Sequence, residues 1–326
     1  MNKKQLIGLI VAGVVFVFVC SSSVLVNTVS KRLGTSLNLS DSESSLPLTP
    51  YIGVVSVEGT IMDSNSTTSF LSNGYNHKET LKLIEDMKNS ASNKGILLYV
   101  NSPGGGVYES DELYLKLKEY KEETGRPVWT YMSNQACSGG YYISMASDKV
   151  FSNRNAWTGS IGVIISLTNL KGLYDNLGIK GIYITSGRNK AMGAADLELT
   201  DEQRDILQSL VDEAYEQFVE IVAEGRKMTV EEVKRIADGR ILSAKQALEL
   251  NLIDEIATYD EVKEAFSAEL GNVKIYTPKK KDPFGLSSLF SYINSLKPRS
   301  DTEIIAELIK AKGNGVPMYY AMPGQY

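Results

Sequence analysis

Apolar positions change period several times along the chain, and each change marks an expected element. YIGVVSVEGTI, residues 51–61, alternates and is rich in β-branched side chains, which predicts a first strand. A polar, Ser/Asn-rich stretch follows to residue 76, and KETLKLIEDMKNS, residues 78–90, has helical spacing. KGILLYVNSPGGG, residues 94–106, is an apolar run that ends on a glycine turn, the pattern of a buried strand. ESDELYLKLKEYKEETG, residues 109–125, returns to helical spacing, with acidic residues at its positive end and Gly125 at its stop. PVWTYM, residues 127–132, predicts another strand that leads into a helix over 138–147. Strand character resumes over KVFSNRNAWTGSIGVII, residues 149–165, and residues 167–180 are expected to be helical. This alternation predicts an α/β core of repeated strand–strand–helix units. After a loop over 184–200 the pattern is helical at 201–224, 229–237, 243–251 and 259–270, with Thr200 and Ser243 as N-caps.

The two ends have a different character. LIGLIVAGVVFVFVCSSSVLV, residues 6–26, carries no charge and follows Lys3 and Lys4. A run of about 20 apolar residues is long enough to span a bilayer, and the flanking lysines favour a cytoplasmic N-terminus. A cleaved signal peptide fits less well, because the run is long and no small-x-small site precedes Cys20. The expected organisation is a membrane anchor over 1–27, a linker over 28–50, an α/β domain over 51–277, and a C-terminal part over 278–326. That last part holds the basic stretch PKKKDPFG, a helix over 301–312 and the tail GNGVPMYYAMPGQY. The tail's VPMYYAMPGQY is apolar and proline-interrupted, the form in which a groove binds peptide as an added strand; a cut near Ala321 is one reading of it and a merely flexible, disordered end the other. The bulk of the chain is expected outside the cytoplasmic membrane on a single-pass anchor.

Composition narrows the chemistry. A net charge of -5 argues against nucleic acid, which needs a basic field. The two cysteines, Cys20 and Cys137, cannot make a disulfide framework or a zinc cluster. No metal or cofactor is expected: the lone histidine, His77, sits in YNHKE with no metal-binding pattern around it. A Ser-His-Asp triad would need His77 as its base, yet its setting reads as a solvated loop entering a helix. In ACSGGYY, residues 136–142, a strand delivers Ser138 and two glycines to the start of a helix. Taken alone, Ser138 suits a helix cap as well as a nucleophile, and PGGG suits a tight turn as well as an oxyanion donor. If Ser138 is a nucleophile, a lysine is the expected base, since desolvation can bring an amine into the working range.

NSPGGG (101–106), ACSGGYY (136–142), TGSIGV (158–163) and SGRNKAMG (186–193) occur in that order. Together they resemble the signal peptide peptidase A family, membrane-anchored Ser-Lys peptidases related to Clp protease and the crotonase fold. The resemblance implies Ser138 as nucleophile, Lys190 as general base, Ser160 as the hydroxyl that orients the lysine, and Gly105 and Gly139 as oxyanion donors. Cys137 departs from the family, which usually shows alanine or another small residue there. One copy of the motif set is similar to the family's short form, which implies a ring-shaped homo-oligomer with sites shared between neighbours. The implied substrates are signal peptides left in the membrane and other unfolded polypeptides. Alternatives are a crotonase-like acyl-CoA enzyme on the same fold and a catalytically inactive membrane scaffold. The anchor and the lack of an evident basic patch for CoA phosphates weigh against the former.

Overall fold

Strand β1 (Tyr51–Glu58) pairs in parallel with β2 (Asn93–Ser102), and β2 pairs in parallel with β4 (Val128–Cys137). A computed structural model of the chain describes residues 46–63, 74–278 and 317–320. The expected anchor over 6–26, the basic linker beyond Pro278 and the helix over 301–312 lie outside the described residues. Among those described, no helix is long and apolar enough to cross a membrane.

The central strands are apolar along their length because both faces are covered. In β2, Ile96, Leu98 and Val100 face one core with Leu113, Leu117 and Phe218, while Leu97 faces a second core with Trp129, Phe151 and Phe266. Helices α1 (His77–Asn89), α2 (Val107–Thr124), α3 (Gly139–Ser144) and α5 (Asp201–Arg226) supply the first core. Helix α8 (Tyr259–Glu269) covers the second, where Phe266 stacks on Trp129 with ring centroids 4.5 Å apart. Between α3 and α5 lies only the short helix α4 (Lys171–Leu177), and α6 (Val230–Lys234) and α7 (Ala244–Glu249) precede α8.

The outer edge of β4 is divided. Residues 129–132 pair with β5 (Lys149–Ser152), whereas residues 135–137 pair with β6 (Trp157–Gly159). Beyond them, β8 (Glu255–Ile256) continues from β5, and β7 (Ile241–Ser243) runs antiparallel to β6. On the far side β9 (Lys274–Tyr276) adds to β1. The result is a mixed, mostly parallel α/β sheet consistent with a Clp-protease-like fold.

Several boundaries differ from the periodicity. The run 94–106 breaks at Pro103, which has no N–H to give a ladder, and resumes as β3 (Gly104–Gly106). Residues 149–165 form two short strands, and from Ser160 the chain turns away with a positive φ. The helix expected over 167–180 shrinks to α4, ended by Gly178 at φ 67°. Thr200 and Ser243 cap α5 and α7 through reciprocal capping boxes, as do Thr229 and Thr258 for α6 and α8. Each such cap contributes about 1 kcal/mol.

Candidate active site

Ser138 lies where β4 ends and α3 begins, with φ 52° and ψ −115°. That conformation costs a non-glycine residue about 1–3 kcal/mol and persists only where surrounding contacts impose it. Here Ser138 N–H donates to Gly159 O at 2.8 Å, and Ser138 O accepts from Tyr142 N–H at 2.9 Å. The hydroxyl is buried, and Oγ has no hydrogen-bond partner among the described residues. A buried hydroxyl normally finds a partner, so an orphaned one marks a position kept for something else.

The glycines around it leave room for backbone rather than side chains. A Cβ on Gly139 would lie 2.4 Å from Ser110 Oγ and 3.1 Å from Gly105 N. A Cβ on Gly104, at φ 104°, would lie 2.8 Å from Gly139 N and 2.0 Å from Tyr319 O. The amides of Gly105 and Gly139 therefore border the same small space beside Ser138. Gly105 is held from behind by Ile61, whose N–H donates to Gly104 O and whose O accepts from Gly106 N–H, each at 2.9 Å. Two N–H groups fixed in this way can stabilise an oxyanion formed on a carbonyl bound there.

That space is filled by the chain's own tail. Strand β10 (Met318–Tyr320) runs antiparallel to β3, with Tyr319 opposite Gly105. Met318 exchanges both backbone bonds with Ile164, its N–H to Ile164 O at 3.0 Å and its O from Ile164 N–H at 3.1 Å. The next residue of an extended strand turns its N–H and C=O the opposite way, so Tyr319 presents its carbonyl to Gly105. The tail thus lies as an added strand between residues 104–106 and Ile164, as its sequence suggests. The register brings Tyr319 to the glycine amides, two positions before Ala321, which lies outside the described residues.

Ser160 reaches the same corner. Cys137 pairs with Gly159 across β4 and β6, so Ser138 and Ser160 follow side by side. Ser160 is buried at φ 51°, its N–H donating to Arg240 O at 2.8 Å. Lys190 behaves differently. It lies in a turn-rich segment, its N–H donating to Gly187 O at 3.1 Å and its side chain exposed. Its ammonium makes no bond to Ser138, whose Oγ has no partner. Within one chain the structure therefore assembles Ser138, Gly105, Gly139 and Ser160, but not Lys190.

His77 corrects the expectation of a solvated loop. It is only 3% exposed, and it starts α1 with both ring nitrogens engaged. Nδ1 meets Tyr75 Oη at 2.5 Å and Nε2 meets Glu112 Oε2 at 2.7 Å. Facing Glu112 on α2, the imidazole is no base for Ser138. The signal missing from the sequence was a partner 35 residues away. Cys137 is 1% exposed, and burial pushes its thiol up to about 12, so it stays protonated near neutral pH. No group of side chains suited to a metal ion occurs among the described residues.

The family model described as peptidase family S49 matches residues 120–274, and that of Clp protease matches residues 66–166. The chain is 40% identical over 215 residues to a protein of Enterococcus faecium that bears the name signal peptide peptidase SppA. That match covers 66% of this chain and 62% of the relative's length. A Synechocystis protein named as a protease is 40% identical over 207 residues, 63% of this chain and 73% of the relative. A chloroplast protein of Arabidopsis thaliana, named serine protease SPPA, is 27% identical over 252 residues, 73% of this chain and 37% of its own. With its motifs, its sheet and these relatives in agreement, the chain belongs to peptidase family S49.

Proposed function

We propose that this chain is a serine endopeptidase in which Ser138 attacks the peptide carbonyl and Lys190 of a neighbouring copy is the general base. The observation that carries the reading is the buried, unpartnered Ser138 Oγ beside the Gly105 and Gly139 amides, with a peptide strand laid across them. In the reaction Ser138 Oγ gives its proton to the neutral lysine as the C–O bond forms. The two amides hold the carbonyl oxygen as it becomes negative, which lowers the barrier because the donors are already aimed. The lysine ammonium then protonates the leaving amine, and water, deprotonated by the same lysine, releases the acyl group. Ser160 helps to orient the lysine at the shared corner.

A base from a second copy agrees with the unpartnered serine and with the surface that carries Lys190. In the stretch of chain leading to that lysine, Leu173, Leu177, Ile182 and Ile184 are exposed, Ile184 to 97%. A neighbouring copy would cover them, and a head-to-tail ring would repeat that contact at every interface. The substrates that fit are extended peptides, since the groove between Gly105 and Ile164 takes backbone as an added strand. Remnant signal peptides and other unfolded chains satisfy this, with residues 6–26 as the membrane anchor and the catalytic part on the outer face.

A fluorophosphonate probe tests the assignment. Labelling of the wild type that is absent in folded Ser138→Ala supports it; equal labelling of both would remove Ser138 from its role.

A further inference from the structure

Ser110 brings a second buried hydroxyl to the active site, and the reaction as described does not use it. It lies in the first turn of α2, is 0% exposed, and its Oγ has no hydrogen-bond partner among the described residues. Buried serines and threonines on helices commonly bond back to a carbonyl four residues earlier. In this chain Ser144 Oγ donates to Gly140 O at 2.8 Å, and Thr124 Oγ1 donates to Tyr120 O at 2.6 Å. Ser110 makes no such bond, and its Oγ rests instead against Gly139, where an added Cβ would lie 2.4 Å from it. The same point is 3.1 Å from Gly105 N and 3.2 Å from Gly104 Cα, so the hydroxyl stands at the joint between the two glycine segments. A buried hydroxyl without a partner is worse for stability than a methyl group, so packing alone would favour alanine at this position.

From this geometry we infer that Ser110 is a positioning residue of the oxyanion hole: its Oγ is the stop against which Gly139 rests, and it keeps the Gly139 N–H aimed. The inference rests on the proposed function, in which that amide is an oxyanion donor. A glycine has no side chain to lock it, so its neighbours alone set the tilt of the Ser138–Gly139 peptide. One end of that peptide is held by Ser138 O, which accepts from Tyr142 N–H at 2.9 Å. Ser110 Oγ holds the other end, at Gly139 Cα. Without the oxygen a gap of one atom opens, and the peptide rocks about the bond that is left. Full negative charge reaches the carbonyl oxygen only as the reaction proceeds, so the loss falls on rate and not on binding. A donor tilted out of line costs less than one removed, about tenfold against about a hundredfold.

The test uses the full-length chain and a fluorophosphonate, whose phosphoryl oxygen takes the oxyanion's place while Ser138 Oγ displaces fluoride. The maximal labelling rate and the half-saturating concentration are measured per active site, counted from the final mass of labelled protein. Ser110→Ala is expected to lose about tenfold in maximal rate, with the half-saturating concentration unchanged and a thermal midpoint no lower than that of the wild type. Ser110→Cys, which puts a larger atom against Gly139, is expected to be slow as well. A normal maximal rate in both, whatever their stability, would make Ser110 a merely structural residue and overturn the inference. The contact itself is read from Ser110→Ala combined with Gly139→Ala, where the new methyl takes the space that the hydroxyl leaves. That double variant is expected to label about tenfold faster than Gly139→Ala alone. A double variant slower than either single one would show that the two residues act independently and would also overturn the inference. If the wild type is not labelled, or Gly139→Ala is labelled like the wild type, the proposed function has failed. If Gly139→Ala is slow and Ser110→Ala is normal, only Ser110 has been misread.

Discussion

Tyr319 stands opposite Gly105 in the β3–β10 ladder, and the same register sets Tyr320 opposite Gly104. A strand held this way in a peptidase groove is presented for cleavage between residues 319 and 320. Intact mass of purified wild type is predicted to show loss of residues 320–326, while Ser138→Ala keeps its full length. Identical full-length masses for both would contradict self-cleavage.

The glycines make a sharper case. A methyl on Gly139 would sit 2.4 Å from Ser110 Oγ and push one amide out of line. Gly139→Ala is predicted to lower turnover by about 100-fold, as loss of an oxyanion donor does. Gly125→Ala is the control: at φ 65° but with no atom within 4 Å, it costs about 1 kcal/mol of stability and leaves turnover alone. Wild-type turnover in folded Gly139→Ala would remove that amide from the mechanism.

His77 is predicted to matter for folding rather than chemistry. His77→Ala leaves Tyr75 Oη and Glu112 without their shared partner. The expected cost is about 1–3 kcal/mol in urea unfolding, with near-normal turnover of the folded fraction. Inactive protein of unchanged stability would return the imidazole to the active site.

For Cys137 the sign follows from burial. Burial holds its folded thiol up at about 12, well above the ordinary thiol range, so the unfolded chain deprotonates first as pH rises. Its contribution therefore destabilises the fold above about pH 9 and vanishes below it. Cys137→Ala should keep activity and lose less of its thermal midpoint between pH 8 and 10 than the wild type does. An equal loss in both would show that the thiol does not contribute.

The central strands were legible because burial on both faces leaves runs such as ILLYV almost without polar interruption. The glycine motifs were legible as turns. What periodicity could not carry was long-range or very short. Strand β4 continues through Ser133, Asn134 and Gln135 to Cys137, although polar residues there suggest a loop. Strands β7, β8 and β9 have only two or three residues each, too few to show a period. The burial of His77 depends on Glu112, and the positive φ of Ser138 depends on contacts with β6. No local pattern records either of them.

The central claim is a serine of one copy activated by a lysine of the next, and subunit mixing tests it most directly. Ser138→Ala and Lys190→Met preparations, each inactive alone, are dissociated, combined one to one and reassembled. With random assembly about a quarter of the interfaces unite an intact Ser138 with an intact Lys190, so roughly a quarter of wild-type turnover should return. No recovery in mixed oligomers verified by native mass would contradict the shared site.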